Sequence, residues 1–209
     1  AYQKALQLKP DHYQVEHDLI ILRAKICNWA TRSADQNRIV DLVLNHQPQE
    51  IGTPPFPSLS LNYFDTTTET HAKAAKASAE YIYKQIEEQI KNNSFEHQAK
   101  GDGDKIKIGY LSPDMRSHAV GRLIKDLFQY HDRDRFEIHA FSLVPTKDEI
   151  AMKIKDTVGH YHKVIGKPAL EIAKLINEQC IDVLVEMGGQ TTSSKMEVAM
   201  FRPAPVIIS

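Results

Sequence analysis

Residues 105–121 read KIKIGYLSPDMRSHAVG, an apolar run of strand length that breaks into a polar loop and then the start of a helix. Working outward from there, the same alternation repeats to the last residue. A helix is expected over 119–130, then RFEIHAFSL (135–143), a helix over 147–156, HYHKVIG (160–166), a helix over 168–178, IDVLVEM (181–187), a helix over 193–201 and PVIIS (205–209). Strands alternating with helices in this way predict an α/β domain whose parallel sheet is covered on both faces. Such sheets bind ligands beyond the carboxyl ends of their strands. The loops after Ser112, Leu143, Gly166 and Glu186 are therefore the places to look for a site.

Before Lys105 the period is different. Residues 1–46 carry apolar residues at intervals of three to four (Tyr2, Ala5, Leu6; Leu19, Leu22, Ala24, Ile26; Ile39, Leu42, Val43), so two or three short helices are expected. Pro10 stops the first helix, and Asp11 is the expected cap of the next. Residues 47–65, QPQEIGTPPFPSLSLNYFD, contain Pro48, Pro54, Pro55 and Pro57 and read as an extended linker, packed down through Phe56, Leu59, Leu61, Tyr63 and Phe64. After Thr66, Thr67 and Thr68 comes an Ala- and Lys-rich stretch with the propensity of a long helix, ending at Asn92 and Asn93. Its apolar face is Ala74, Ala77, Tyr81, Ile82, Ile86 and Ile90. The expected organisation is a helical segment over 1–46, a linker and long helix over 47–104, and the α/β domain over 105–209.

The 209 residues are 42% hydrophobic and 25% charged, with 26 Lys plus Arg against 27 Asp plus Glu. This composition belongs to a soluble globular protein and excludes the disordered, collagen-like and membrane-spanning classes. A net charge of -1 supplies no field for nucleic acid or an anionic membrane, which leaves a neutral ligand, a nucleotide or another protein as the partner. Cys27 and Cys180 are too few for a disulfide framework and lack the paired spacing of a zinc site, which favours a reducing compartment, the cytoplasm. No apolar run approaches the roughly 20 residues of a membrane span, and AYQKALQLKP lacks the apolar core of a signal peptide. The chain starts without Met and stops inside the strand-like VIIS, so it reads as a piece of something longer.

Two loops carry candidate chemistry. SPDMRSHAVG after the first strand is not a dinucleotide fingerprint, and the one GxG, Gly101–Gly103, precedes the strand where it cannot cradle a phosphate. His118, at the first turn of the following helix, can face the crevice and exchange a proton near neutral pH; the bland reading is a capping residue. In VEMGGQTTSSK, Gly188 and Gly189 allow close backbone approach, and the hydroxyls of Thr191–Ser194 with the next amides suggest an anion cradle; the bland reading is a strand-to-helix turn. Glu186 is a candidate base or sugar-hydroxyl acceptor, or the partner of a nearby Lys. His160 and His162 share a strand face, but without a third placed ligand they read as a polar outer face rather than a metal pair. The YHDRDR run (130–135) reads as a structural turn.

Several segments together resemble the O-linked N-acetylglucosamine transferases and their SPINDLY-type fucosyltransferase relatives. AYQKALQLKPDH looks like the second helix of a tetratricopeptide repeat, with Tyr2, Ala5 and Leu6 at core positions and Pro10 closing the unit. ICNWATRSADQNRIVDLV is similar to the cysteine-x-tryptophan helix that joins the last repeat to the catalytic region. KIKIGYLSPDMRSHAVG, HDRDRFEIHAFS, IDVLVEMGGQT and RPAPV follow in the family's order. The resemblance implies the amino-terminal, Rossmann-like lobe of a two-lobed GT-B glycosyltransferase, preceded by the end of a repeat superhelix and a linker. The carboxyl lobe, with most nucleotide contacts, lies past Ser209.

Position by position, the resemblance places His118 on the family's active-site histidine. Gly189, Gln190 and Thr191 fall on its glycine-histidine-threonine or glycine-tyrosine-threonine element, and Glu186 on a position often held by aspartate or asparagine. Here the sequence departs, because Gln190 cannot titrate although its amide still hydrogen-bonds. The implied catalytic residues are His118 and Glu186, and the implied substrate-binding residues Gly188, Gly189, Gln190 and Thr191. The implied reaction is transfer of N-acetylglucosamine from UDP-GlcNAc to Ser or Thr of acceptor proteins docking through the repeat-like segment, with no metal and no cofactor beyond the sugar nucleotide. This piece alone is expected to be inactive. GDP-fucose as donor and a non-catalytic protein-binding module are the alternatives, the second because of the degenerate GGQT loop.

Overall fold

Helices α1 (Tyr2–Leu8), α2 (Tyr13–Lys25) and α3 (Arg32–Asn45) open the chain in the computed structural model, which describes residues 1–46, 56–99, 101, 103–191 and 193–209. Pro48, Pro54, Pro55 and Thr192, used in the linker and cradle readings, lie outside the described residues. The chain forms two units, Ala1–Ile86 and Glu87–Ser209, a division that falls inside the long helix α4 (Thr68–Lys91).

In the first unit the buried stripe of α2 is His17, Ile20 and Ala24, while Leu22 and Ile26 are exposed. The sequence stripe is displaced because a polar residue completes it. His17 stacks on Phe56 at 4.8 Å and its Nε2 lies 2.9 Å from Ser60 Oγ, so its polar atoms are satisfied inside. Around it close Ile39, Leu42, Val43, Phe56, Leu61, Phe64 and Ala74. The linker thus packs down through Phe56, Leu61 and Phe64, with Leu59 and Tyr63 outside. The Arg38 guanidinium forks onto Glu16 with two bonds of 2.8 Å and ties α3 to α2. Three expectations change here. His12, not Asp11, stands at the cap of α2 and makes no side-chain cap bond. Helix α1 buries none of its residues, Tyr2 included. Cys27–Trp29 form the turn between α2 and α3 rather than a helix, with Cys27 at φ 57°.

The second unit is the expected α/β fold. Strands β1 (Ile106–Ser112), β2 (Phe136–Ser142), β3 (His160–Lys163), β4 (Val183–Glu186) and β5 (Val206–Ile208) form one sheet in the order β3-β2-β1-β4-β5, every pairing parallel. The helices between them are α5 (Ala119–Ile124), α6 (Glu149–Val158), α7 (Ala169–Glu178) and α8 (Glu197–Met200). The helix expected over 119–130 breaks after Ile124 and resumes as a 3-10 turn, Leu127–Tyr130, which carries Phe128 into the core against the edge of Tyr110. The helix expected over 193–201 shrinks to the single turn of α8, because the preceding residues are held in the turn described below. The YHDRDR run is structural: Arg133 donates to the carbonyls of Phe128, Thr157 and Val158, closing the carboxyl end of α6. Among the described residues no helix is long and apolar enough to cross a membrane.

Candidate active site

The strand order has one reversal. From β1 the chain moves outward to β2 and β3, then returns to place β4 on the other side of β1. Connections leaving β1 and β4 therefore diverge, which makes the ground beyond their carboxyl ends the switch point at which open α/β sheets take ligands. Leu111 and Glu186 are register partners there, and Met187 N–H donates to Leu111 O at 3.0 Å. The topology thus brings the two loops singled out in the sequence onto neighbouring strands at one edge.

The loop after β1 is held by its own backbone and by two aspartates. Ser112 Oγ accepts from Asp114 N at 3.0 Å, and Asp114 and Met115 are buried. Asp148, at the start of α6, accepts from Ser117 N and Ala151 N, each at 2.9 Å, so one carboxylate joins the loop to the helix. Those amides hold the Asp148 carboxyl below the usual carboxylate range. Gly121 lets the loop fold back on α5: a Cβ there would stand 2.0 Å from Arg116 O and 2.6 Å from Asp114 O.

His118 is the N-cap of α5. Its Nδ1 accepts from Val120 N at 3.3 Å and lies 3.4 Å from Asp114 Oδ1, with 43% of the side chain exposed. These contacts call for different states of Nδ1, without and with a hydrogen. Neutral with Nδ1 bare, the ring accepts from Val120; protonated at Nδ1, it donates to Asp114. In both, Nε2 is free among the described residues. Asp148 escapes a reading of the sequence, since it reaches Ser117 from the start of α6, and Asp114, though near His118 in the chain, is turned to it only by the fold of the loop.

The turn after β4 differs from the expected cradle. Glu186 is 3% exposed, and its carboxylate accepts from Gly188 N at 2.9 Å, Gly189 N at 2.7 Å and Ser209 Oγ at 3.3 Å. Thr191 Oγ1 donates to Gly188 O and Ser194 Oγ to Gly189 O, both at 2.6 Å. The amides and hydroxyls that would surround an anion are turned inward on the loop itself. A Cβ at Gly188 would come 2.8 Å from Ser194 Cβ and 2.9 Å from Glu186 Oε1, and Gly189 has φ +52°, so both positions call for glycine. Glu186 here shapes the turn, while Gln190, half-buried, stands at its tip.

His160 and His162 acquire neighbours that no local pattern shows. Across the β2–β3 pairing His139 lies opposite His160 and Phe141 opposite His162, and the rings stack, with His139 at 4.4 Å from His160 and 5.3 Å from His162. His139 Nε2 is 2.8 Å from Glu137 Oε1, and its Nδ1 is 3.1 Å from His162 Nε2. Burial pushes His139 down and, with repulsion from His139 and His160, takes His162 down to about 4. Within this group Glu137 and His160 stand at the amino ends of their strands and His139 midway along β2.

Comparison with known proteins agrees with this architecture. The chain is 26% identical over its whole length to a probable UDP-N-acetylglucosamine--peptide N-acetylglucosaminyltransferase SPINDLY of Oryza sativa subsp. japonica, covering 19% of that protein. It is 28% identical over 53% of its length to the corresponding Arabidopsis thaliana protein SEC, covering 11% of it. The chain thus spans less than a fifth of these relatives. Among solved structures, a mutant Thermobaculum terrenum O-GlcNAc transferase superposes with a TM-score of 0.52 at 18% identity, over 99% of this chain and 45% of that one, a likeness of fold. With the Rossmann-like sheet, its strand-order reversal between β1 and β4 and a match of residues 26–209 to the sequence profile of Glycosyl transferase family 41, the chain belongs to that glycosyltransferase family.

Proposed function

We propose that this chain supplies one wall of the cleft of a protein O-glycosyltransferase, which moves N-acetylglucosamine from UDP-GlcNAc to Ser or Thr hydroxyls of acceptor proteins. The observation that carries the reading is the reversal of strand order at β1/β4, with the loop that holds His118 following β1 and the Gly188–Thr191 turn following the neighbouring β4. The names of the relatives supply the donor and the peptide acceptor.

In this reading the acceptor oxygen attacks the anomeric carbon in line with the departing diphosphate, whose oxygen takes the electron pair of the broken glycosidic bond. His118 lines the acceptor side: with its Nδ1–H donated to Asp114, which positions the ring, the bare Nε2 takes the proton that the attacking hydroxyl gives up. The Gly188, Gly189, Gln190 and Thr191 turn lies beside the diphosphate, with Glu186 a positioning residue that holds its shape. Gln190 contributes an amide hydrogen bond and no proton transfer. Charge on the leaving group is stabilised by amides and cationic side chains, most of them from a second lobe. Acceptors dock on the helical unit, a reading supported by exposed Leu8, Leu22 and Ile26. Free Cys27 and Cys180 favour the cytoplasm.

The test is transfer from radiolabelled UDP-GlcNAc and, in parallel, GDP-fucose to a protein pool by the full-length protein, with His118→Ala as control. Transfer from UDP-GlcNAc, strongly reduced in the variant, is expected. Undiminished transfer by the variant would remove His118 from the mechanism, and transfer from GDP-fucose alone would replace the donor. The 209-residue chain assayed by itself is expected to transfer no sugar.

A further inference from the structure

The histidine stack on β2 and β3 holds more than a polar edge requires. Side chains alternate along a strand, so Glu137, His139 and Phe141 share one face of the sheet with His160 and His162. Three donor atoms meet there. Glu137 Oε1 lies 2.8 Å from His139 Nε2 and 3.5 Å from His160 Nε2, and all three donors are within 4.8 Å of one another. Bonds of about 2.0–2.2 Å from a tetrahedral metal to nitrogen and oxygen put neighbouring ligand atoms roughly 3.3–3.6 Å apart. Of the observed separations, 3.5 Å falls in that range; the 2.8 Å pair is at hydrogen-bond distance, and the rings of His139 and His160 stack nearly parallel at 4.4 Å, so an ion shared by both needs the half-exposed His160 ring to turn. His160 Nε2 is the third donor, half exposed and 3.5 Å from the same oxygen, at the distance of an ion pair.

We propose that Glu137, His139 and His160 form a binding site for a borderline divalent metal ion such as zinc(II). Two imidazoles and one carboxylate suit zinc, cobalt or nickel, and offer too few oxygens for calcium or magnesium. The fourth position opens on a cleft of about 230 Å³ that Glu137 and His160 line with Lys105, Arg133 and Gly159. His139 is buried and its other nitrogen already has a partner: with a metal on Nε2, the Nδ1–H donates to His162 Nε2 at 3.1 Å. Ligating histidines are oriented in just this way by a group behind them. Lys107 Nζ is the competing cation, 3.5 Å from Glu137 Oε1. It also donates to Gln179 O at 3.1 Å, where it stays when the carboxylate turns to the metal. The site lies toward the amino ends of the strands and so takes no part in the proposed transfer. Its effect is to pin the four-residue edge strand β3 to β2.

The experiment is titration of the chelator-treated chain with zinc(II) by calorimetry, and with cobalt(II) by visible absorption. One zinc per chain is expected, with the d–d bands of tetrahedral cobalt and a thermal midpoint that rises with zinc. Affinity falls at least about tenfold in His160→Ala, whose side chain is half exposed, and in the near-isosteric Glu137→Gln. His12→Ala, a surface histidine elsewhere, binds as wild type. Absence of saturable binding, or equal affinity and an unchanged cobalt spectrum in both ligand variants, would overturn the site.

Discussion

His118 Nδ1 stands between an amide it can accept from and a carboxylate it can donate to, so its capping task and its chemical task separate by substitution. His118→Ala removes the cap of α5 and is expected to cost about 1 kcal/mol of stability, while His118→Asn restores a capping oxygen and most of that loss. Neither variant retains an imidazole. Urea denaturation of the chain and sugar transfer by the full-length protein should therefore part company for His118→Asn, near-native in the first and strongly impaired in the second. Wild-type transfer by His118→Asn would leave the residue as a cap only. Gly121 makes the complementary case one turn further on. A methyl group 2.0 Å from Arg116 O has nowhere to go, because both contacts are backbone oxygens of the loop that carries His118. Gly121→Ala is expected to destabilise the α/β unit by about 1–3 kcal/mol through overpacking, read as a lower urea midpoint at unchanged slope. An unchanged midpoint would mean that the loop does not fold back on α5 in solution.

At the scale of elements, the turn after β4 is a carboxylate wrapped by its own loop. Glu186→Gln replaces one acceptor oxygen with a donor facing a glycine amide, leaving that amide unpaired in a buried place at about 1–3 kcal/mol. Hydrogen exchange is the direct check: the amides of Gly188 and Gly189 should lose protection, and equal protection in the variant would show that the carboxylate does not hold them. The example also shows where sequence reading stops. Strand and helix alternation is written locally in hydrophobic period, so β1, β2, α6 and α7 lie close to where KIKIGYLS, RFEIHAFSL and the two following helices predict them. His118 and the GGQT turn are marked by their place after the strands, and the resemblance to the transferases gives them expected roles. What escapes depends on who is opposite whom. Glu137 and His139 meet His160 through the β2–β3 register, Asp114 reaches His118 through a loop that doubles back, and the inward set of the Gly188–Ser194 turn depends on positive φ at Gly189 and Ser193. The first joins residues on different strands, and the other two, though local, rest on backbone conformations that residue type alone does not fix. His17 misleads for a related reason, since its partners Phe56 and Ser60 lie some forty residues away.

For the whole molecule, ten histidines against a net charge of -1 make acid the condition that most changes its charge, and burial decides where that matters for folding. His17 is 6% exposed, and desolvation holds its pKa below the ordinary histidine value, outweighing the hydrogen bond and charge of Asp18 that act the other way. In the unfolded chain the same imidazole protonates near pH 6.5. Above that pH both states are neutral and His17 adds no pH dependence. As pH falls through 6.5 the unfolded state takes up a proton that the folded state refuses, so stability declines until the folded pKa is reached. One such group gives a slope of at most about 1.4 kcal/mol per pH unit. His131, lowered by burial and by the charge of Arg133, acts in the same direction within the α/β unit. The two are distinguishable by hydrogen exchange, corrected for intrinsic rate, at pH 7.5 and 5.5. His17→Gln, neutral at every pH, should lower the protection of α2 and α3 modestly at pH 7.5 but abolish most of its further loss at pH 5.5, leaving β1 and β2 as pH-sensitive as in the wild type. An acid-induced loss in α2 and α3 as large in His17→Gln as in the wild type would assign the sensitivity to a group other than His17.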